Sequence, residues 1–252
     1  THSALMKARD SINLLVFPEL SIYERDVPYL KRFADKMNCM IFAGLVYCRG
    51  PKDCNSMINA GMWIIPQRKD GDDRRKYIEL LQGKGNLSPV ECCAPWLSGY
   101  RPVQWIVRGV CCGKGRKRAV ALWSMSASIC YDATDIKLAA ALRDHVDCYV
   151  VSAFNKDVGL FDIMAESWRY HMYGHAVVAN TGIYGGSTIQ APYDKPYERI
   201  IAHAHGGGQA QILLAELDLH DFSKRTNSAV RKKKPKTGTA RVRALKASPA
   251  GY

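Results

Sequence analysis

The stretch Ser124-Met125-Ser126-Ala127-Ser128-Ile129-Cys130-Tyr131-Asp132 constrains this chain more than any other. It closes an apolar run over residues 119–129 that predicts a buried strand, and the run stops at a cysteine followed by Tyr-Asp. A nucleophile placed where a strand gives way to a turn is held rigidly, with backbone N–H groups nearby. Cys130 is therefore a candidate nucleophile, although a buried cysteine is more often only a structural thiol.

Two other segments hold the residue types that a reactive cysteine needs. An apolar strand over residues 14–17 leads into Pro18 and Glu19, and Lys84 heads a Lys-x-x-Leu-x-Pro segment. A cysteine attacks as the thiolate, so it requires a base and a positive neighbour. Taken singly, Glu19 also fits an exposed carboxylate at a strand end, and Lys84 fits an exposed loop lysine.

In chain order, the segments Phe-Pro-Glu, Lys-x-x-Leu-x-Pro and Ile-Cys-Tyr-Asp resemble the nitrilase (carbon–nitrogen hydrolase) superfamily. The resemblance implies a catalytic triad of Glu19, Lys84 and Cys130. It implies that Glu19 moves the protons, while Lys84 and the backbone N–H of Tyr131 stabilise the oxyanion. The implied reaction cleaves a non-peptide C–N bond through a covalent thioester on the cysteine.

The same resemblance proposes substrate-binding residues around this triad. Glu91, seven residues after Lys84, lies near the place of a second glutamate that orients substrate in the family. Its alternative is an ordinary loop carboxylate. Asn155 follows a strand where the family often lines its pocket, and Tyr131 adjoins the nucleophile. Asn55-Ser56 directly precedes the strand predicted at 57–65, and the family commonly has an asparagine that leads into this strand.

Strands that alternate with helices predict an α/β protein. Strands are predicted at 14–17, 39–47, 57–65, 100–112, 119–129, 146–154, 176–180, 185–189 and 210–217, helices at 1–13, 26–37, 136–144 and 164–175, and an irregular loop at 83–95. The resemblance extends from Leu14 to Asp218 and implies a nitrilase-like, four-layer α-β-β-α sandwich. Because that architecture is often dimerised, we expect a homo-oligomer.

The chain departs from the family pattern in two places. The family begins with a strand and a full helix before the glutamate segment, whereas only about a dozen residues precede that segment here. The first strand is therefore predicted to be absent from this chain or supplied by upstream residues. In addition, the stretch Trp168–His175 lacks the Arg-Ala-x-Glu-Asn pattern of the corresponding family helix, which affects the expected dimer packing and pocket wall.

The positive charge of the chain is concentrated at its C-terminus. The 252 residues have a net charge of +13, and residues 223–252 contain ten Lys or Arg and no Asp or Glu. We therefore divide the chain into a nitrilase-like domain, 1–222, and a basic tail, 223–252. Such a tail is usually a solvated segment, and its functional alternative is an electrostatic contact with nucleic acid.

The nine cysteines do not form a recognisable metal or disulfide pattern. Two adjacent pairs, Cys92-Cys93 and Cys111-Cys112, lack the C-x-x-C spacing that holds zinc, and no histidine completes a ligand set. We therefore predict neither a metal nor a cofactor. Because the sequence also has no apolar run of membrane-spanning length and no apolar signal segment near Thr1, we expect a cytoplasmic protein without a membrane partner.

Two hypotheses of function remain open. The first is an amidase-type hydrolase for a small-molecule amide, or less favourably a nitrile, with acyl transfer to an amine as the same chemistry. The second is a non-catalytic binding or assembly module of a larger nucleic-acid-associated protein. Nitrilase-like domains occur at the C-terminus of bacterial reverse-transcriptase proteins of antiviral defence. The missing first strand, the altered helix after Trp168 and the basic tail are consistent with such a fusion.

Overall fold

A computed structural model describes residues 12–50, 56–67, 76–111 and 120–219. The strands are β1 (Leu14–Ile22), β2 (Met40–Leu45), β3 (Cys48–Arg49), β4 (Met57–Ile58), β5 (Ala60–Pro66), β6 (Tyr77–Gly83), β7 (Leu97–Ser98), β8 (Ile106–Cys111), β9 (Val120–Ile129), β10 (Cys148–Ala153), β11 (His175–Asn180), β12 (Thr188–Gln190) and β13 (Ile200–His203). The α-helices are α1 (Val27–Met37), α2 (Pro89–Cys92), α3 (Ile136–Leu142) and α4 (Val158–Met172).

Two larger sheets organise these elements. The first has the order β1-β2-β5-β6, in which β1 and β2 are parallel and the other pairs are antiparallel. The second has the order β13-β12-β11-β10-β9-β8, with a parallel centre formed by β9, β10 and β11. A small three-stranded sheet, β3-β4-β7, lies beside them. Parallel strands bring their carboxyl ends to one edge, which is where functional side chains of α/β proteins collect.

The two larger sheets pack face to face with helices outside them. Alternate residues of β2 point to opposite faces: Ile41 and Ala43 pack with α1, whereas Phe42 packs into the core shared with the second sheet. Helices α3 and α4 cover the second sheet through residues such as Leu138 and Trp168. This is the predicted α-β-β-α arrangement, which is confirmed.

The sheets are also joined by a polar contact at their carboxyl-terminal edge. The Ser152 hydroxyl at the end of β10 donates to the Phe17 carbonyl of β1, with an O–O distance of 2.9 Å. That contact places the end of β10 directly against the segment that contains Glu19. The edge where the functional residues meet is therefore held from both sheets.

Several local predictions differ from the structure. The predicted loop 83–95 contains the helical turn α2, the strands β6 and β13 were not predicted, and α4 begins six residues before its predicted start at 164. The predicted closing strand 210–217 is wrong, because this segment has no strand partner among the described residues. Ile212 and Leu214 are exposed there, and an apolar pattern forms a strand only when a neighbour completes its hydrogen bonds.

Several predictions fall on residues outside the described ranges. They concern the helical lead-in up to residue 11, the asparagine at position 55 and the basic tail 223–252. Among the described residues, β1 pairs with β2 alone and forms an edge of its sheet. No helix in the described part of the chain has the length and apolar character needed to span a membrane.

Candidate active site

Cys130 lies directly after β9, at the first position of a 3-10 turn that runs to Thr134. Its backbone has a φ of 43°, which a residue other than glycine adopts only at some cost in energy. The thiol is buried, and its sulfur lies 4.0 Å from the Phe154 carbonyl oxygen that follows β10. The turn thus aims the cysteine toward the edge shared by the two sheets.

Glu19 reaches the same place from β1. The pairing register of β1 with β2 shifts between Phe17 and Ile22, and Leu20 has a φ of 56°. Such an irregularity redirects the side chains next to it. The Glu19 carboxylate is buried, and its Oε2 accepts the Phe154 backbone N–H at 3.0 Å. Phe154 therefore contacts Glu19 through its N–H and Cys130 through its carbonyl.

Gly44 on β2 makes room for this arrangement. A Cβ at position 44 would lie 2.5 Å from both the Glu19 Cα and the Ser152 hydroxyl oxygen, and it would overlap the Pro18 carbonyl. Real Cβ atoms do not approach other atoms so closely. The absence of a side chain at this position lets β1 lie close against the end of β10.

Lys84 enters from the end of β6 and is almost completely buried, with a relative exposure of 1%. Its Nζ lies 2.8 Å from Glu19 Oε1 and 2.6 Å from Glu91 Oε2. Burial alone would lower the pKa of Lys84, but the negative charges of Glu19 and of the Cys130 thiolate, together with hydrogen bonds to Glu19 and Glu91, raise it above its usual range. Lys84 is therefore a fixed cation at neutral pH.

Glu91 is a buried member of this cluster rather than an exposed carboxylate, and its role in substrate binding stays a prediction. The carboxylate closes a capping box with Ser88 at the start of α2. Burial alone would raise the pKa of Glu91, but hydrogen bonds from Lys84, from the Ser88 backbone N–H and from Asn59 lower it. The same contacts hold Glu91 as an anion next to Lys84.

Asn59 completes the cluster, although the sequence did not point to it. Its Nδ2 donates to Glu19 Oε1 and to Glu91 Oε1, both at 2.7 Å. The residue lies in the break between β4 and β5, which was predicted as one continuous strand. A buried amide inside an otherwise apolar run is the signal that could have identified it.

The surroundings of Cys130 set the state of its thiol. Burial raises the pKa of Cys130, the nearby Glu19 carboxylate raises it further, and Lys84 only partly opposes them, which gives a value of about 12. At neutral pH the resting residue is therefore a neutral thiol next to the Glu19 carboxyl group. A neutral thiol must lose its proton before it can act as a nucleophile.

Asp132 connects the turn of Cys130 to the loop of Lys84. Its Oδ2 accepts the Gly85 N–H at 2.9 Å, its Oδ1 accepts the Asn86 N–H at 2.6 Å, and Arg101 Nη1 lies 3.2 Å from Oδ1. Burial raises the pKa of this carboxyl, although the Asn86 and Gly85 N–H groups and Arg101 oppose that shift.

The two remaining predicted site residues lie outside the cluster. The Tyr131 side chain is 41% exposed. Asn155 uses its side chain for a local turn, since its Oδ1 accepts the Asp157 N–H and its Nδ2 donates to the Asp157 carbonyl. Its backbone N–H donates to Asn180 Oδ1. The Asn155 amide therefore supports the start of α4 in this structure.

Tyr47 and Trp96 form an aromatic pair that the sequence did not reveal. Burial raises the pKa of Tyr47, and the charges of Glu91 and Glu19 raise it further, while Lys84 opposes them. The ring packs edge-on against Trp96, with 5.2 Å between centroids. Trp96 is half exposed.

The cluster is not a metal-ligand set. Among the described residues, no three His, Cys, Asp or Glu side chains are grouped so that they could hold a metal ion. Lys84 already neutralises part of the charge of the two glutamates. The arrangement instead combines a thiol, a carboxylate next to it and a fixed cation, which is a set suited to nucleophilic attack and to stabilising a developing anion.

Comparison with known proteins assigns the fold. No protein-family model matches the chain, and no curated protein matches it in sequence. Among solved structures, it is similar to XC1258 from Xanthomonas campestris, a CN-hydrolase superfamily protein with an arsenic adduct in its active site. That alignment has a TM-score of 0.50 and 13% identity, and it covers 75% of this chain and 74% of the other.

Two further structures show the same likeness. An amidase from Nesterenkonia sp. aligns with a TM-score of 0.51 and 15% identity, covering 80% of this chain and 76% of that protein. The NitFhit protein of C. elegans aligns with a TM-score of 0.55 and 15% identity, covering 81% of this chain and 52% of that protein. The chain therefore has the fold of CN-hydrolase superfamily proteins.

Proposed function

We propose that this chain is an amidase-type carbon–nitrogen hydrolase that works through a thioester on Cys130. The observation that carries the proposal is the buried Lys84, which bridges Glu19 and Glu91 beside the cysteine. Burying three charged groups is costly, and a protein with no chemical use for them would be as stable with apolar residues there. The fold shared with CN-hydrolases, among them an amidase, supports the same conclusion.

In the proposed first half-reaction, the Cys130 sulfur attacks the amide carbon while its proton passes to Glu19. The new S–C bond converts the carbonyl oxygen into an anion. An ammonium group has three hydrogens, and the described contacts of Lys84 use two of them, for Glu19 and Glu91. The third, together with the Tyr131 backbone N–H, would stabilise that anion. Collapse then breaks the C–N bond, and Glu19 returns the proton to the leaving amine.

The second half-reaction hydrolyses the thioester. Glu19 takes a proton from water as the water attacks the acyl carbon, the C–S bond breaks, and the proton returns to the sulfur as the acid leaves. The Phe154 N–H, 3.0 Å from Glu19 Oε2, would keep the carboxylate oriented through both steps. If an amine replaced water, the same steps would give acyl transfer. A nitrile would enter the same route by thiol addition to its carbon.

The proposal is tested by incubating the protein with a panel of short primary amides. We expect ammonia release, an acyl adduct on the Cys130 peptide by mass spectrometry, and a hydroxamate when hydroxylamine intercepts the thioester. Cys130→Ala should abolish all three signals. Cys148→Ala is the matched control, because Cys148 is also a buried thiol but lies within β10. Ammonia release that persists in Cys130→Ala, or no turnover of any amide, would contradict the proposal.

A further inference from the structure

The two groups proposed to stabilise the oxyanion belong to different sheets. Lys84 follows β6 of the first sheet, whereas Tyr131 follows β9 of the second sheet. Their relative position must be held to a fraction of an ångström, since a misplacement of about 1 Å at a catalytic group can cost about 100-fold in rate. Local secondary structure cannot supply this alignment, because each sheet orders only its own strands.

The Lys84 side of the site is anchored to the first sheet by its own backbone. The Lys84 N–H donates to the Asn59 carbonyl at 2.9 Å, and the Lys84 carbonyl accepts the Tyr100 N–H at 2.8 Å. A separate contact is needed to bind the cysteine turn of the second sheet to this frame.

Asp132 supplies that contact. It lies two residues after Cys130, is fully buried, and uses both carboxylate oxygens to accept the N–H groups of the two residues that follow Lys84. A carboxylate is the side chain suited to this role, because both of its oxygens only accept. An asparagine at this position would direct its NH₂ group toward one of the two backbone N–H groups, and because both are donors that hydrogen bond would be lost. Arg101 balances the buried charge at 3.2 Å.

We infer that Asp132 is a positioning residue that aligns the Tyr131 backbone N–H with Lys84 across the two sheets. It contacts neither the thiol nor Glu19 in the described hydrogen bonds, so it acts through the geometry of the oxyanion site. The inference rests on the proposed function. It predicts that loss of the carboxylate weakens binding of a tetrahedral adduct while the alkylation rate of the thiol changes little.

The experiment uses two probes of Cys130 that do not require the natural substrate. Iodoacetamide alkylates the thiol with loss of iodide and reports its accessibility. Butanal adds reversibly to the thiol: the S–C bond forms, the thiol proton moves to Glu19, and the aldehyde oxygen becomes the anion of a thiohemiacetal. Protection of the Cys130 peptide from alkylation by butanal, followed by mass spectrometry, therefore measures how well the site holds a tetrahedral oxyanion.

For Asp132→Asn we expect butanal to protect about 10- to 100-fold less well, with the alkylation rate without aldehyde within about 2-fold of wild type. Asp157→Asn is the matched control. It removes one negative charge from the residue that caps the start of α4, keeps an N-capping side chain there, and changes no described contact of Asp132. Its protection by butanal should equal that of wild type.

Two results would overturn the inference alone: unchanged protection in Asp132→Asn, or an equal loss of alkylation and protection, which indicates a merely structural role. Failure of butanal to protect the wild-type thiol would instead refute the proposed function, and the inference with it. If Asp132→Asn does not fold, Arg101→Met replaces it. That variant leaves the two N–H contacts in place, and we expect protection to weaken about 3-fold because the carboxylate loses its balancing charge.

Discussion

Two lysines in this protein form ion pairs with glutamates at nearly the same distances but in very different surroundings. Lys31 on α1 meets Glu79 on β6 at 2.7 Å, and both side chains remain partly exposed. Lys84, at the end of the same strand, meets Glu19 at 2.8 Å and Glu91 at 2.6 Å with almost no exposure. The comparison shows that distance alone does not determine what an ion pair contributes.

The difference lies in hydration. Water screens the exposed pair, so its formation changes the free energy of folding by about 0–1 kcal/mol. The buried groups have lost their water, and each depends on the others for compensation. The buried ion pairs of Lys84 therefore add little net stability, and their presence is better explained by a chemical role. Their members also cannot be removed one at a time without a large penalty.

The largest expected effect is that of Lys84→Met. Removing the cation leaves Glu19 and Glu91 as uncompensated buried carboxylates, so the free energy of unfolding should fall by about 3–5 kcal/mol. Urea denaturation followed by circular dichroism measures this loss. A change below about 1 kcal/mol would show that the cluster is hydrated and that Lys84 does not differ from the exposed Lys31 in its contribution to stability.

The control for this variant is Lys31→Met, which breaks the exposed pair with the same chemical change. We expect a loss of about 0–1 kcal/mol that shrinks further in 1 M salt, because the Debye length falls to about 3 Å. The loss caused by Lys84→Met should change little with salt.

An intermediate effect is expected for Gly44→Ala, which disturbs the buried cluster by displacing the backbone of β1 next to Glu19. The added methyl group would lie against the Glu19 Cα and the Ser152 hydroxyl, so β1 must move and carry Glu19 away from Lys84. We expect a loss of about 1–3 kcal/mol, typical of overpacking, together with lower amide turnover. Thermal unfolding and ammonia release measure the two effects.

Gly159→Ala is the matched control for that substitution. Position 159 lies in the first turn of α4, where the only neighbour of an added Cβ is Asp157 Oδ1 at 3.9 Å. Since alanine favours a helix, stability should stay the same or rise by up to about 1 kcal/mol. Equal losses in both variants would indicate that Gly44 has no special role.

The smallest effect is a change in how steeply stability falls at acid pH, measured separately from the overall loss of stability that removing Glu91 causes. Because the pKa of Glu91 is lower in the folded than in the unfolded protein, its contribution is fully present above the unfolded value and is lost as the pH falls through the folded value. Glu91→Gln should flatten the decline in unfolding free energy below about pH 4.5. Urea titrations between pH 3 and 7 measure it. An unchanged slope in Glu91→Gln would contradict this assignment to the buried cluster.

The sequence alone identified residues that stand beside strong local patterns. Glu19 and Cys130 follow apolar runs that end abruptly, and Lys84 opens a distinctive loop segment, so each was recognisable from its immediate neighbours. Most strands and helices were also recognisable, because their apolar periodicity is a local property. The segment 210–217 marks the limit of that method, since its apolar residues have no strand partner among the described residues.

The tertiary structure decided which other polar residues join those three. Asn59 is 40 positions from Glu19, and Asp132 is 46 positions from Asn86, yet both pairs are hydrogen-bonded. Such contacts depend on which strand ends meet across two sheets, and no local pattern encodes that meeting. The burial of Glu91 and the pKa directions have the same origin, because desolvation and charge proximity arise only when distant segments pack together.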